Sequence, residues 1–268
     1  MKKIGLGILI TITVLALSGI TAQALVFVPA RVEPSGVPVF VPDVAVGHSP
    51  TLKGIQPGTL ERTIFIHYAN GKIVSSAKTP TCYKLYGIKW KSLPVSYIVN
   101  PNGYNESFVT TAISASVGEW DSHTSKTLFG TGSIDYDANW DGDYPDGRNE
   151  YSFGDYDDPE ECLEPPCVIA VAVVWAGVPI GKGKGLQIIE YDVMFDTDFS
   201  WGDATVNPAV MDLQNIAVHE SGHGVGLADV YQSVCSAVTM YGYSDYEETQ
   251  KRTLETPDIT GLQKLYGI

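Results

Sequence analysis

The stretch from Asn215 to Asp229 reads NIAVHESGHGVGLAD, and it decides which fold to expect. His219 and His223 stand four positions apart in it, so on a helix both imidazoles project from one face and can reach a single cation. Glu220 lies one step round the same helix, where its carboxylate can take a proton from a metal-bound water. The spacing therefore predicts a catalytic zinc site on a helix.

The chain after His223 is predicted to turn back toward the two histidines. Gly222, Gly224 and Gly226 end the helix, and Gly226 can adopt the positive φ that such a turn needs. The turn brings Asp229 round as a third ligand. Three protein ligands and a fourth position left for water are the arrangement of a catalytic zinc.

The start of this helix is less strongly marked than its motif. Leu213, Ile216 and Ala217 recur at helical spacing before the motif. Asparagine caps helices and proline is favoured at their first position, so Asn207 is the predicted cap and Pro208 the predicted first residue.

Two later segments resemble a known family. Residues 236–241 read SAVTMY and look like the Met-turn of the metzincin metallopeptidases. Residues 256–267 read TPDITGLQKLYG and are similar to the last helix of the matrixin catalytic domain. The chain departs from matrixins at Asp229, where they have histidine, and at Gly242-Tyr243, which stands where a proline is expected. Aspartate as third ligand resembles a smaller metzincin branch.

This resemblance implies an α+β, zincin-like fold. Its sheet would be twisted and mainly parallel with an antiparallel edge strand, beside an active-site helix and a C-terminal helix. It also implies a zinc endopeptidase that acts on protein or peptide substrates. Met240 would form a hydrophobic floor under the ligands. Tyr241 and Tyr243 would either line the pocket for the residue after the cut or stabilise the oxyanion.

The amino terminus has the three parts of a secretory signal. Lys2-Lys3 precede an apolar run from Ile4 to Ile20, and Ala22-Gln23-Ala24 follows as a cleavage site. Residues 1–24 are therefore the expected signal peptide. The alternative is an uncleaved membrane anchor, because the run is near the lower length limit for a span. In both cases the remainder is expected to be extracellular.

Composition limits the class of partner. The 268-residue chain has a formal net charge of −14, which argues against nucleic acid or an anionic membrane as a partner. The same charge suits a secreted protein that must stay soluble. With 44% hydrophobic residues the chain can build one sizeable core. The oligomeric state does not follow from the sequence.

The mature chain is expected to have two parts. Residues 25–81 are interpreted as a pro-segment or as an amino-terminal extension packed on the domain, and residues 82–268 as the metallopeptidase domain. The first part contains a strand-like run from Thr63 to Tyr68. His48 and His67 have no neighbours at ligand spacing, so both are interpreted as ordinary surface or packing residues.

Four cysteines in an exported chain indicate disulfides. Cys162 and Cys167 enclose a short loop that one bridge could close, which leaves Cys82 with Cys235. The alternative is that Cys82 is a thiolate that blocks the zinc in a latent precursor, as in matrixin pro-segments.

The most acidic region, residues 135–161, raises the question of calcium. Four side chains with oxygen ligands alternate there as in a calcium loop: Asp137, Asn139, Asp141 and Asp143. Arg148 stands where such a loop needs a bidentate glutamate, so a standard EF-hand is not expected. The region is interpreted either as an irregular calcium site completed by Asp146 and Glu150, or as a solvated acidic loop.

Periodicity predicts the other elements. Residues 95–99 alternate as a strand, and a helix with Asn105 as its candidate cap follows. Residues 168–175 are a β-branched run; the family's edge strand here pairs with extended substrate, although a plain core strand would look the same. Residues 189–195 alternate as a further strand.

A rival interpretation is an extracellular zinc-binding or adhesive protein that kept the ligands without turnover. An intact Glu220 argues against this rival, because a purely structural site gains nothing from a general base. No sequence motif for a serine or cysteine nucleophile is present.

Overall fold

The computed structural model describes residues 31–32, 38–39, 43–44, 60–69, 81–156, 167–179 and 185–268. The predicted signal peptide or anchor lies outside these ranges. No helix within them is both long and apolar enough to cross a membrane.

The described residues form three α-helices, two single 3₁₀ turns and fifteen short or long strands. The helices are α1 (Glu106–Asp121), α2 (Leu213–Gly224) and α3 (Thr256–Tyr266), and the 3₁₀ turns are Ser233–Cys235 and Gln250–Arg252. The strands are β1 (Arg31–Val32), β2 (Pro38–Val39), β3 (Asp43–Val44), β4 (Leu60–Ala69), β5 (Lys84–Leu85), β6 (Ile88–Lys89), β7 (Val95–Val99), β8 (Phe129–Ile134), β9 (Glu150–Gly154), β10 (Val168–Pro179), β11 (Leu186–Asp196), β12 (Trp201–Gly202), β13 (Met211–Asp212), β14 (Leu227–Ala228) and β15 (Tyr243–Ser244).

The main sheet is mixed, and its strand order is β15, β4, β10, β11, β9, β7, β8. Strands β11, β9, β7 and β8 run parallel to one another, and β10 is antiparallel to β11. Strand β6 adds to β11, and β3 adds to β4. A mainly parallel sheet with an antiparallel strand and a C-terminal helix confirms the predicted α+β class.

Strand β10 is antiparallel as expected, but it does not lie at the edge of the sheet. Strand β4 pairs with it antiparallel from Leu60↔Gly177 to Tyr68↔Val168. On its other side β4 pairs in parallel with β15. An uncovered edge presents unpaired backbone groups, and here β4, from the segment before the predicted domain, satisfies those of β10.

Helices α1 and α2 pack against each other and contact the sheet. As predicted, α1 is capped by Asn105, whose side chain accepts a hydrogen bond from Phe108 N. Near the other end of α1, the buried Trp120 donates from Nε1 to Val218 O over 2.8 Å. This hydrogen bond holds α2 at Val218, the residue before His219 of the metal motif.

Helix α2 begins five residues later than predicted. Its first residue is Leu213 and its cap is Asp212, whose side chain accepts from Asn215 N over 2.8 Å. Asn207 instead accepts a hydrogen bond within a tight turn, and β13 pairs with β12 between that turn and the helix. The prediction of Asn207 and Pro208 as cap and first residue is therefore wrong.

The end of α2 agrees with the prediction. The helix ends at Gly224, and Gly226 has a φ of +100°. A Cβ at Gly226 would lie 2.3 Å from Ile88 O, so the turn needs glycine for its conformation and for this close approach. The turn leads into β14 and then to Asp229.

Strand β11 is present as predicted but is buried on both faces. Its alternating polar residues Glu190 and Asp192 are at most 1% exposed. The acidic loop covers them, because the backbone nitrogens of Asp146 and Gly147 donate to the Glu190 carboxylate. A buried acidic face behind the sheet was not predicted.

Helix α3 fixes the predicted Met-turn. Its first turn is closed by a capping box of Glu255 and Asp258. The Asp258 carboxylate also accepts from Thr239 N over 2.9 Å and from Met240 N over 3.2 Å. The turn that carries Met240 is thereby held under α2.

Candidate metal centre

Helix α2 and the turn after it bring the three predicted ligands together. One nitrogen each of His219 and His223 and one oxygen of Asp229 lie within 4.8 Å of one another. The Nε2 atoms of His219 and His223 are 3.1 Å and 3.6 Å from Asp229 Oδ1. All three side chains are buried.

Backbone carbonyls orient both imidazoles. His219 Nδ1 is 2.7 Å from Thr239 O, and His223 Nδ1 is 3.0 Å from Leu227 O. A carbonyl oxygen only accepts, so each Nδ1 carries the proton and each Nε2 keeps its lone pair. Such outer hydrogen bonds are typical of histidines that bind metal.

The donor atoms fit a divalent cation. His219 Nε2, Asp229 Oδ1 and Glu220 Oε2 are buried and make no hydrogen bond, although the first two lie 3.1 Å apart. Leaving such atoms unpaired in the interior costs free energy, so their convergence calls for a partner. Two imidazoles and a carboxylate are ligands that zinc accepts.

Electrostatics in the centre favour a neutral His223 beside an ionised Asp229 carboxylate. Burial lowers the pKa of His223 to about 4 despite the nearby Asp229 carboxylate. Burial acts to raise the pKa of Asp229, but His223 and His219 outweigh it and the pKa is lowered. Burial, followed by the charge of Asp229, raises the pKa of Glu220 well above its usual value.

Met240 packs beneath α2, where the resemblance placed it. It is fully buried. A Cβ at Gly222 would lie 2.2 Å from Met240 Sδ and 2.7 Å from Trp120 Cζ2. A glycine is therefore required one residue before His223 so that the methionine can approach the helix.

Asp229 and Gly242, the positions at which the chain departs from the matrixin pattern, lie next to each other in the structure. The hydroxyl of Tyr231 donates to Asp229 Oδ2 over 3.1 Å. A Cβ at Gly242 would lie 2.4 Å from Tyr231 Cε1 and 3.1 Å from Asp229 Oδ1. Gly242 thus leaves the space in which Tyr231 orients Asp229. No sequence pattern indicated Tyr231 as a partner of this ligand.

Tyr241 and Tyr243 lie next to the centre in a small apolar cluster. Their ring centroids are 5.6 Å apart, and both residues are less than 10% exposed. The buried Lys251 donates from Nζ to Tyr243 O and to Ser244 Oγ. This lysine holds β15 in place alongside β4.

Strand β4 covers the centre, which the sequence did not suggest. His67 is 1% exposed, and its Nδ1 lies 3.2 Å from Glu220 Oε1. Phe65, two residues earlier, stacks on His223 with ring centroids 3.9 Å apart. The interpretation of His67 as a surface residue is wrong; it is a packing residue, and its ring faces the general-base candidate. No local spacing could reveal this, since His67 and Glu220 are 153 positions apart.

The cysteines resolve one alternative. Cys82 and Cys235 form a disulfide, as the preferred pairing predicted. The alternative role of Cys82 as a zinc-blocking thiolate is wrong, because its sulfur is bonded to Cys235. Cys167 is disulfide-bonded too, and Cys162 lies outside the described residues, so their pairing with each other stays a prediction. His48 also lies outside these residues.

Part of the predicted calcium loop forms a carboxylate cluster. Asp141, Asp146 and Glu150 each place one oxygen within 4.8 Å of the others. The remaining predicted residues are exposed: Asp137, Asn139 and Asp143. Asn139 still contacts the cluster, since its Nδ2 donates to Asp141 Oδ1 over 2.8 Å.

The buried acids of β9 and β11 extend this cluster. Burial raises the pKa of Glu150 to about 7 and that of Glu190 to about 8. Burial, followed by the charge of Glu190, raises the pKa of Asp192 well above its usual value. Arg148 Nε lies 2.9 Å from Glu150 Oε1 without hydrogen-bond geometry, and Asp192 Oδ2 has no hydrogen-bond partner.

Known proteins share this sequence pattern. Residues 89–267 match the matrixin family (peptidase M10). A stretch of 79 residues, 28% of this chain and 25% of the relative, is 43% identical to metalloendoproteinase 1 of Glycine max. Matrix metalloproteinase-16 of Homo sapiens is 37% identical over 76 residues, 28% of this chain and 12% of that protein. Neutrophil collagenase of Homo sapiens is 34% identical over 82 residues, which are 31% of this chain and 16% of that protein.

The similarity thus spans a quarter or less of the length of these relatives. The family match, in contrast, runs from Lys89 to Gly267 and includes α2, the turn at Gly226, the Met-turn and α3. The chain belongs to the matrixin family.

Proposed function

We propose that the chain is a zinc endopeptidase in which His219, His223 and Asp229 hold the metal and Glu220 is the general base. The observation that carries this proposal is the convergence of three ligand atoms on one buried point, with an unpaired oxygen of Glu220 beside it. When bound, zinc supplies a Lewis acid that lowers the pKa of a water and polarises the scissile carbonyl.

The other side chains of the centre would transfer protons, orient a ligand and support the helix. Glu220 accepts a proton from the attacking water and returns it to the leaving amine. A neighbouring cation favours the ionised form of this buried carboxyl, which the reaction needs. The hydroxyl of Tyr231 orients Asp229, and Met240 supports the helix from below.

Protein or peptide chains are the substrate class that the family supports. With β4 displaced, strand β10 would offer its backbone to an extended peptide in the groove between β10 and β15, and strand addition would supply binding through main-chain hydrogen bonds. We assign Tyr241 and Tyr243 to the wall of the pocket for the residue after the cut, since β15 lies across the groove from β10.

We also propose an extracellular location. The Cys82–Cys235 disulfide supports it, because disulfides persist in oxidising compartments. Residues 1–24 then act as signal peptide and residues 82–268 as the catalytic domain.

A calcium ion is proposed for the carboxylate cluster. Its ligands would come from Asp141, Asp146 and Glu150, with Asp192 behind them. The support is the excess of acids over cations among the described residues, where Arg148 is the cation that contacts Glu150, together with the unpaired and buried Asp192 Oδ2. Calcium prefers such carboxylate oxygens.

The test of the peptidase proposal combines metal content with casein cleavage. We expect one zinc per chain in both the wild type and Glu220→Gln. The rate of casein cleavage should be about 10²–10⁴-fold lower in the variant than in the wild type. A chelator should abolish cleavage, and added zinc should restore it. Assays should also include chain that has been cut between Ala69 and Thr81, because β4 covers the centre in the intact chain.

The rival, a zinc-binding protein without turnover, is favoured by one observation. Glu220 and His219 are completely buried, so substrate has no access to them in this conformation. Equal casein cleavage by wild type and Glu220→Gln, or an absence of zinc from folded protein, would refute the peptidase proposal.

A further inference from the structure

We infer that the groove between α1 and β8 binds an extended, basic segment of another polypeptide chain, which adds to the main sheet as a further strand. This site goes beyond the proposed peptidase function. Strand β8 lies four strands from β10 in the sheet order, which is a distance of about 19 Å. The groove is therefore separate from the metal centre.

Strand β8 forms one end of the main sheet. Of the strands that the structure describes, β7 alone pairs with it. An edge strand presents a row of unpaired backbone groups, which proteins usually protect with charged side chains, proline or a bulge. Strand β8 reads FGTGSI, with neither a charge nor a proline, and the register shift in its pairing with β7 lies before Gly132. Its last three residues thus offer a regular edge to a further strand.

A groove of about 780 Å³ lies beside this edge. Its lining includes Thr110, Thr111 and Ser114 of α1 and residues 130–134 of β8, and none of the residues that line it is charged. An extended peptide in such a groove can pair with the strand through its backbone and lay alternate side chains against the helix. The combination of a sheet edge and a neighbouring helix therefore favours a polypeptide as the occupant.

The groove is formed before anything binds. A Cβ at Gly132 would lie 2.5 Å from Tyr97 Cε2, so a glycine is needed there for the tyrosine ring to lie against β8. The side chain of Tyr97 is in turn hydrogen-bonded to that of Ser114, which joins α1 to the sheet within the groove. A preformed groove spares an occupant the free-energy cost of ordering it.

The charges at the two ends of the groove indicate which segment fits. The Tyr136 hydroxyl, just beyond the end of β8, donates to the Glu106 carboxylate at the start of α1. Asp135 and the exposed Asp137 lie at this same end. Arg148 pairs with Asp135, which leaves an excess of negative charge. We therefore expect the occupant to place lysine or arginine at this end.

The experiment measures binding of a labelled peptide to the intact full chain by fluorescence anisotropy. The probes are the peptides KRKTVSVTVS and SVTVSVTKRK, because a strand can add to β8 in either direction and the basic residues must reach the acidic end. We expect one of the two to bind. Absence of binding by both up to about 1 mM would overturn the inference.

Backbone methylation tests the mode of binding. Two versions of the peptide that binds carry N-methyl groups at alternate residues, one version at odd and the other at even positions of its uncharged part. In a strand that adds to an edge, only alternate N–H groups face the protein. One version should therefore bind at least about tenfold more weakly, and the other should bind like the parent peptide. An equal loss in both versions would overturn strand addition.

Two pairs of surface variants test the location. Thr111→Trp fills the groove and should weaken binding at least about tenfold; Thr256→Trp, an exposed threonine on α3, is its control. Asp137→Lys should weaken binding about two- to fivefold, as expected for an exposed charge pair. Glu247→Lys changes the net charge equally in the loop after β15, at the other end of the sheet, and should bind like the wild type.

The remaining outcomes also decide the question. Equal effects of a variant and its control would place the peptide elsewhere and overturn the inference. Sedimentation of the free chain identifies a competing occupant: a dimer that Thr111→Trp converts to a monomer would show that a second copy fills the groove, and this too would overturn the inference. The measurements involve no turnover, so the peptidase proposal stands or falls independently of them.

Discussion

The buried metal triad and the partly buried carboxylate cluster are two polar groups built in opposite ways. His219, His223 and Asp229 come from one continuous stretch, and their distances are set by a helix and one glycine turn. The carboxylate cluster is assembled from an acidic loop and strands β9 and β11, which pairing in the sheet brings together.

The electrostatics of the two groups differ as well. In the triad two imidazoles surround one acid, and the pKa of Asp229 is lowered by them. In the carboxylate cluster acid faces acid, and the pKa values of Glu150 and Glu190 are raised to about 7 and 8. The triad thus presents an ionised carboxylate to the proposed zinc, whereas the acids of the cluster would have to release protons to bind the proposed calcium.

The largest expected effect separates the two groups directly. Asp229→Ala should weaken zinc binding by more than about 100-fold, since loss of an outer-shell partner alone costs 10–100-fold. Asp192→Ala should leave zinc affinity unchanged because it belongs to the other cluster. Competition with a zinc-binding dye measures both. Equal zinc affinities for the two variants would show that Asp229 is not a ligand.

Calcium should act on the carboxylate cluster alone. At about 100 times its dissociation constant, calcium contributes about 2.7 kcal/mol to stability, which corresponds to a rise in Tm of roughly 5–10 °C for a domain of this size. The rise should disappear in Glu150→Gln and persist in Asp229→Ala. Calorimetry in the two variants decides the point, and a rise that survives Glu150→Gln would place the ion elsewhere.

The pH dependence of stability sharpens the same contrast. The folded chain keeps protons on Glu150 and Glu190 that the unfolded chain releases near pH 4.5. Without calcium, their contribution to stability is therefore complete below that pH and is lost as pH rises through 7 and 8. We expect Tm of zinc-saturated, calcium-free protein to fall between pH 5.5 and 8.5. Glu190→Gln should flatten this fall; an unchanged profile in that variant would contradict it.

The smallest expected effect concerns the orientation of a single ligand. Tyr231→Phe removes the hydroxyl that donates to Asp229 and should weaken zinc binding by about tenfold, the low end of the range for outer-shell partners. Tyr241→Phe, a buried tyrosine in the same cluster, is the matched control and should bind zinc like the wild type. An equal loss in both variants would point to general loosening of the cluster.

Features that depend on local geometry could be predicted from the amino-acid sequence. The helical spacing of His219 and His223, the glycine that turns the chain, the Asn105 cap and the alternating strands were all readable because each involves residues a few positions apart. The helix start at Leu213 was missed, since a short strand pairing overrode the cap signal of Asn207.

The surroundings of the metal motif depend instead on contacts between distant parts of the folded chain. Strand β4 reached the centre by pairing with β10, and Glu190 and Asp192 became buried when the acidic loop folded over β11. The hydroxyl of Tyr231 contacts Asp229 because Gly242 has no side chain in the space that the tyrosine ring fills. Some of these contacts join residues that are distant in sequence, and others depend on the volume of a side chain. Neither kind of contact leaves a periodic pattern in the sequence.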